Sequence, residues 1–334
     1  MHTSFSREVI MLGFLRKRTP STPEASLNDI ELHLREIPGA LSTADAIPRI
    51  DWTKVREAIV PHANHAAINQ LWTELAAQWL GILAVHLAGS YEIYEGSHLL
   101  LLCARPVGES KRLLRLADDA YDRLARMINP NPGSGCPGKR AIIILDKTSL
   151  YYDYISYFYA DSDRAYGASV GMHTSRGYGH IVLNGNSKSM LQTLVHELAH
   201  ALVADRPLPV WLNEGLAQFV EDMVPGYRAP FINARDVRLH RRYWSWFGTA
   251  HFWTGAGFKG AASQRLSYQL AEILFRNLVT DRDRRRSVST FLATAHREDA
   301  GAKACREAFG CQLPTLVEEF LGPGSWGPID NPEP

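Results

Sequence analysis

The stretch 192–203, Gln-Thr-Leu-Val-His-Glu-Leu-Ala-His-Ala-Leu-Val, carries the residues best suited to chemistry in this chain. On a helix turning about 100° per residue, His196 and His200 fall one turn apart on one face, the separation at which two imidazoles hold a single zinc ion. Glu197 is the next residue round, and from there its carboxylate can lean over a metal-bound water as a general base. Leu191, Leu194, Val195, Leu198 and Leu202 recur at helical spacing roughly opposite the histidines. That stripe is expected to be core, and the histidine face to line a cleft. The competing reading is an amphipathic helix that spells His-Glu-x-x-His by chance.

A catalytic zinc takes three protein ligands and leaves a fourth position for water, so a third donor is required. The segment 211–221, Trp-Leu-Asn-Glu-Gly-Leu-Ala-Gln-Phe-Val-Glu, offers Glu214. Pro207 and Pro209 break the first helix, and Pro209 can serve as an early residue of a second. Leu212, Leu216, Phe219 and Val220 give that second helix an apolar side. Thirteen residues lie between His200 and Glu214, enough for a helix end and a reversal. The alternative for Glu214 is an acid favoured by the positive end of a helix.

His-Glu-x-x-His followed by Trp211-Leu212-Asn213-Glu214-Gly215-x-Ala217 resembles the gluzincin metallopeptidases. The short interval, with Pro209-x-Trp211-Leu212-x-Glu214-Gly215, is most similar to the peptidase MA-like family. The resemblance is strong over 178–222 and traceable from about 91 to 321. It implies Zn2+ held by His196, His200 and Glu214, with Glu197 as catalytic base and a peptide or protein as substrate. It also implies an α+β, zincin-like fold: a mixed sheet and the active-site helix in an upper lobe, and a helical lower lobe. One departure concerns the residue four beyond the ligand Glu, an Asp in thermolysin-like gluzincins that orients the first histidine; here it is Gln218. An amide accepts a hydrogen bond from an imidazole N–H but leaves the ligand less basic than a carboxylate does. Related metallopeptidases stabilise the oxyanion with a Tyr or His, and the family's helix near 267 typically opens with Tyr, which makes Tyr268 the candidate. His180, His240 and His251 are the weaker alternatives, and a tyrosine that simply packs is the other reading.

At 334 residues the chain can bury one large core or two smaller ones. Hydrophobic content of 46% and charged content of 21% are those of a soluble globular protein. A net charge of +1 makes no electrostatic case for nucleic acid. Cys103, Cys136, Cys305 and Cys311 are too sparse for a disulfide framework or zinc ribbon, and Cys305 with Cys311 is either a pair or two buried thiols. The apolar run 9–15 precedes Arg16-Lys17-Arg18, the reverse of a secretory signal, and no window approaches the roughly twenty apolar residues of a membrane span. A cytoplasmic protein is the expectation, an upstream export signal the alternative.

Along the chain, 1–26 is expected to be a poorly ordered arm and 27–88 an N-terminal helical segment, with helices over 27–36, 52–60 and 66–80. The zincin-like domain is expected over 89–321. Its strands are read at 91–94, 98–104, 141–145, 165–172 and 179–183, around a long helix at 109–128 and a loop at 129–135. The segment 179–184 is expected to border the cleft, either pairing with substrate or as a plain edge strand. Asn186 or Ser187 is the expected cap of the metal helix. The aromatic patch at 243–253 either walls a pocket or packs the lower lobe. Helices are read at 267–278, 287–295, 302–309 and 313–321, and 322–334 as a disordered tail.

The expected reaction is hydrolysis of a peptide bond by Glu197-assisted attack of a zinc-bound water. The rivals are a non-catalytic peptide-binding or scaffold protein with a zincin fold, and a fortuitous motif on another fold.

Overall fold

A computed structural model describes residues 33–43, 47–59, 65–87, 89–128, 137–159, 170–174, 177–227 and 232–328. Turns over 33–40 lead to a short antiparallel pairing of β1 (Leu41–Ser42) with β2 (Arg49–Ile50). Two helices follow, α1 (Trp52–Ile59) and α2 (His65–His86). The turns stand where the end of the helix read at 27–36 was expected; the rest of that helix, the arm at 1–26 and the loop at 129–135 lie outside the described residues.

The central sheet is built from strands whose apolar runs need cover on both faces. Its members are β3 (Glu92–Glu95), β4 (Leu99–Cys103), β5 (Arg140–Leu145), β6 (Gly171–Thr174) and β7 (His180–Asn184), in the order β3-β4-β5-β7-β6. β4, β5 and β7 are parallel, and β3 and β6 join antiparallel at the two edges. Every residue of β4, β5 and β7 is buried, as parallel strands covered on both sides require.

Alternation along the strands sorts the two faces. Leu101, Ile142, Ile144, Ile181 and Leu183 meet α3 (Val107–Ile128) and α5 (Met190–Leu202). Leu100, Leu102, Ile143, Leu145 and Val182 meet α1, α2 and α4 (Thr148–Tyr159). Helix α4 was not legible in the sequence: Thr-Ser-Leu-Tyr-Tyr-Asp-Tyr-Ile-Ser-Tyr-Phe-Tyr is aromatic-rich, with modest helix propensity, and sheet packing overrides that preference by burying Tyr151, Tyr154 and Ile155.

Beyond α5 the chain is helical: α6 (Val210–Val220), α7 (Ala234–Phe247), the short α8 (Ala250–Trp253), α9 (Gln264–Thr280), α10 (Val288–Thr294), α11 (Ala302–Phe309) and α12 (Leu313–Leu321). The core under the α5 face of the sheet runs on into this half through Trp211, Phe275 and Phe291. The architecture is thus α+β with a mixed five-stranded sheet.

Four expectations change in detail. The aromatic patch divides: Trp244, Phe252 and Trp253 pack, while Trp246 and Phe247 are exposed. The tail is packed over its first residues, since Trp326 is buried and its carbonyl accepts from Thr249 Oγ1 at 2.8 Å and Trp253 Nε1 at 2.6 Å. Cys305 and Cys311 are free thiols, and burial, with Cys311 beside it, pushes the Cys305 thiol up to about 12. Ser189, not Asn186 or Ser187, sits at the N-cap of α5, and its side chain makes no cap hydrogen bond.

Candidate metal centre

Helix α5 owes its position to its apolar side. Leu194, Val195, Leu198, Ala201 and Leu202 are buried against the sheet and α3, which leaves His196 and His200 on the other side, over α6. The turn entering α5 is held from the far end of the parallel strands. Arg105 Nη2 donates to Asp146 Oδ1 at 3.0 Å and to the Gly185 carbonyl at 2.6 Å, tying the ends of β4, β5 and β7 together. Pro209, in an extended conformation, is the N-cap residue of α6, and Trp211 anchors that helix by donating its indole N–H to the Ala300 carbonyl at 2.9 Å.

These two helices bring His196, His200 and Glu214 into one cluster. Glu214 Oε2 lies 3.6 Å from His196 Nε2 and 3.7 Å from His200 Nε2, and the three donor atoms all fall within 4.8 Å of one another. Both distances are too long for hydrogen bonds, and Glu214 Oε2 is a buried carboxylate oxygen with no hydrogen-bond partner. Donors at about 2.0–2.2 Å from a tetrahedral ion stand roughly 3.3 Å apart, close to the two separations from Glu214, so the cluster could hold a metal ion. The side chains are 14–17% exposed, shielded from bulk water yet reachable.

The outer nitrogens are both engaged. His196 Nδ1 lies 2.9 Å from Glu221 Oε1, and His200 Nδ1 lies 3.0 Å from Asn213 Oδ1. A carboxylate oxygen only accepts, so His196 Nδ1 carries hydrogen, and the same assignment follows for His200 with the Asn213 amide oxygen as acceptor. Each Nε2 therefore turns toward Glu214, as ligand histidines are held in metal sites. Glu221, and not Gln218, orients the first histidine. Glu214, Gln218 and Glu221 are spaced i, i+4, i+7 and share one helical side; the chain tightens to a 3-10 turn at Glu221–Met223, bringing the second acid to the imidazole. The spacing was a signal in the sequence, but only packing selects between four and seven residues.

Charge at the cluster favours a cation. Burial lowers the His196 pKa, but Glu214, Glu221 and Glu197 outweigh it and hold the imidazole up to about 10. Burial raises the Glu214 carboxyl, and the two histidines reverse that, leaving it below the usual carboxylate range. Acids surrounding two imidazoles thus retain a proton where a dication would replace it.

Glu197 is buried and its Oε2 accepts a 2.7 Å hydrogen bond from the His173 N–H. Val170 O pairs with Asn184 N, so in β6 the backbone groups of residues 170, 172 and 174 face β7, and those of 171 and 173 face outward. Gly171 lets β6 ride this close, since a Cβ there would stand 2.3 Å from Thr193 Cγ2 of α5. The strand at the sheet edge beside the metal helix is therefore β6; the expected edge strand, 179–184, is β7, paired on both sides and wholly buried. Burial, then Arg140, His200 and His180, lowers the His173 imidazole to about 3, so it is neutral.

Tyr268 lies in the second turn of α9 and packs edge-on against Phe258, with ring centroids 5.2 Å apart. Burial and the charges of Glu214 and Glu197 raise its phenol pKa, so it keeps its proton next to both carboxylates. The alternatives fall away. His180 is buried between the Tyr154 hydroxyl and the Tyr178 carbonyl on the opposite face of the sheet. His240 is buried against Gln269 and Trp244, and His251 is exposed on α8. Asn213, Glu221 and His173 are the site residues that sequence reasoning missed. No protein-family model matches the chain, and no curated protein matches it either.

Proposed function

We propose that this protein is a zinc metallopeptidase of the gluzincin type, hydrolysing peptide bonds. The observation that carries the reading is the orphaned, buried Glu214 oxygen facing two Nε2 atoms whose Nδ1 partners are already fixed. Two imidazoles and one carboxylate form a donor set suited to zinc with an open position, and zinc so held supplies Lewis acidity and a water activated near neutral pH.

The chain's own groups have separable tasks. Glu197 takes the proton of the attacking water and passes it to the departing amine; the His173 amide fixes one carboxylate oxygen and leaves the other for this work. Tyr268 donates a hydrogen bond from its phenolic hydroxyl to the developing oxyanion, and burial with the two carboxylates keeps that hydroxyl protonated. A peptide is the proposed substrate because β6, at the end of the sheet, runs beside Glu197 as a strand bordering an extended substrate would.

The test is Glu197→Gln, assayed on a mixed peptide library with metal content measured in parallel. Cleavage is expected to fall by at least about 10²-fold with one zinc still bound per chain. Cleavage at the parental rate sinks the proposal, and so does a parent protein that purifies without stoichiometric metal and takes up none.

A further inference from the structure

Helix α7 has a face that the metal centre does not use. Its inward side is occupied: His240 and Trp244 are buried, the Trp244 indole N–H donates to His240 Nδ1 at 3.1 Å, and His240 Nε2 meets Gln269 Oε1 at 3.3 Å. On the outward side Arg235, Leu239, Arg242 and Trp246, at i, i+4, i+7 and i+11, form one stripe, with Arg238 beside it and Arg241 further round the helix. All six are exposed, Trp246 by 81%, and Phe247 beside it by 60%.

The charge on this face is uncompensated. Four arginines against Asp236 give the helix +3, on a chain of net charge +1. Asp236 is engaged at the N-cap, where its carboxylate accepts the Asn233 N–H at 3.2 Å. Among the described residues no ion pair engages any of the four arginines.

We propose that this face docks on an anionic lipid bilayer surface, with Arg235, Arg238 and Arg242 against headgroups and Trp246 and Leu239 seated at the headgroup–acyl boundary. The stripe is convex and about 20 Å long, matching a plane of charge better than one small anion. Indole rings settle at headgroup depth, and an aliphatic residue between two arginines gains by meeting acyl chains but offers a nucleic-acid base nothing to stack on. Each arginine at such a surface strengthens binding roughly fivefold. The docking is independent of the metal centre.

The full chain is sedimented with vesicles of phosphatidylcholine alone and of phosphatidylcholine with about one third phosphatidylserine. Binding is expected to the anionic vesicles only, and to weaken with salt. Arg235→Gln/Arg238→Gln/Arg242→Gln is expected to lower that affinity on the order of a hundredfold. Trp246→Ser, a single exposed change that keeps the fold, is expected to lower it at least about tenfold. The proposal is overturned by absent binding to anionic vesicles, by equal binding to zwitterionic ones, or by variants that bind like the parent. Retention on polyglutamate or single-stranded RNA without vesicle binding also overturns it and assigns the face to another macromolecule.

Discussion

Glu221 shows what one side chain adds to a candidate metal centre without being one of its three donors. Its carboxylate takes the His196 Nδ1 hydrogen at 2.9 Å, fixing the tautomer and making the other nitrogen a stronger donor. Burial and this same carboxylate push the nearby Tyr227 phenol up to about 12, so the acid is flanked by a group that stays neutral. Glu221→Gln retains an acceptor oxygen and loses the charge, so zinc affinity measured by chelator competition is expected to fall about 10–100-fold. Gln218→Ala is expected to leave that affinity unchanged. Equal losses in the two variants would mean that Glu221 has no special part in holding the histidine.

Among the elements, the contact between α6 and α9 sets the site most directly. Gly215, next to Glu214, allows it: a Cβ there would stand 2.5 Å from the Ala271 carbonyl oxygen, a backbone atom that cannot swing aside. The close approach brings Tyr268, three residues before Ala271, within the electrostatic influence of Glu214. Alanine is the better helix former by about 1 kcal/mol, so propensity alone would make Gly215→Ala stabilising. The clash is expected to win, for a net loss of about 1–3 kcal/mol by thermal or urea unfolding, together with weaker zinc binding as Glu214 is displaced. A Gly215→Ala protein more stable than the parent would show that the helices separate freely and that the glycine is not what fixes their distance.

Across the whole molecule, the sheet is a wall between two cores: the metal helix lies on one face and the N-terminal helices on the other. His180 belongs to the second core, fully buried, with Trp79 edge-on at 5.0 Å between ring centroids. Burial drives its pKa from 6.5 down to about 4, against the pull of the Tyr178 carbonyl. Between those values the unfolded chain binds a proton that the folded chain refuses. Stability from this group is therefore intact above pH 6.5 and is lost as pH falls toward 4. A gap of about 2.5 pH units at about 1.4 kcal/mol each amounts to ~3–4 kcal/mol. Urea unfolding followed from pH 7 to pH 4 is expected to show a shallower decline in His180→Gln than in the parent. Parallel declines would mean that His180 charges as readily in the folded chain as in the unfolded one.

The sequence alone determined what is local and periodic. A His-x-x-x-His spacing with leucines opposite dictates which side of α5 is core and which carries the candidate ligands, because a helix has one fixed turn per residue. Continuous runs at β4 and β5 announce strands covered on both faces, and Glu214 is legible because two prolines and a fresh apolar stripe mark a new helix. Only the tertiary structure decided what depends on separate elements meeting. It placed β6 rather than β7 at the edge, gave the His173 amide to Glu197, chose Glu221 over Gln218 and folded aromatic-rich α4 as a helix. None of these is set by spacing along the chain; each is set by which surfaces bury the most apolar area while leaving most buried polar groups a partner.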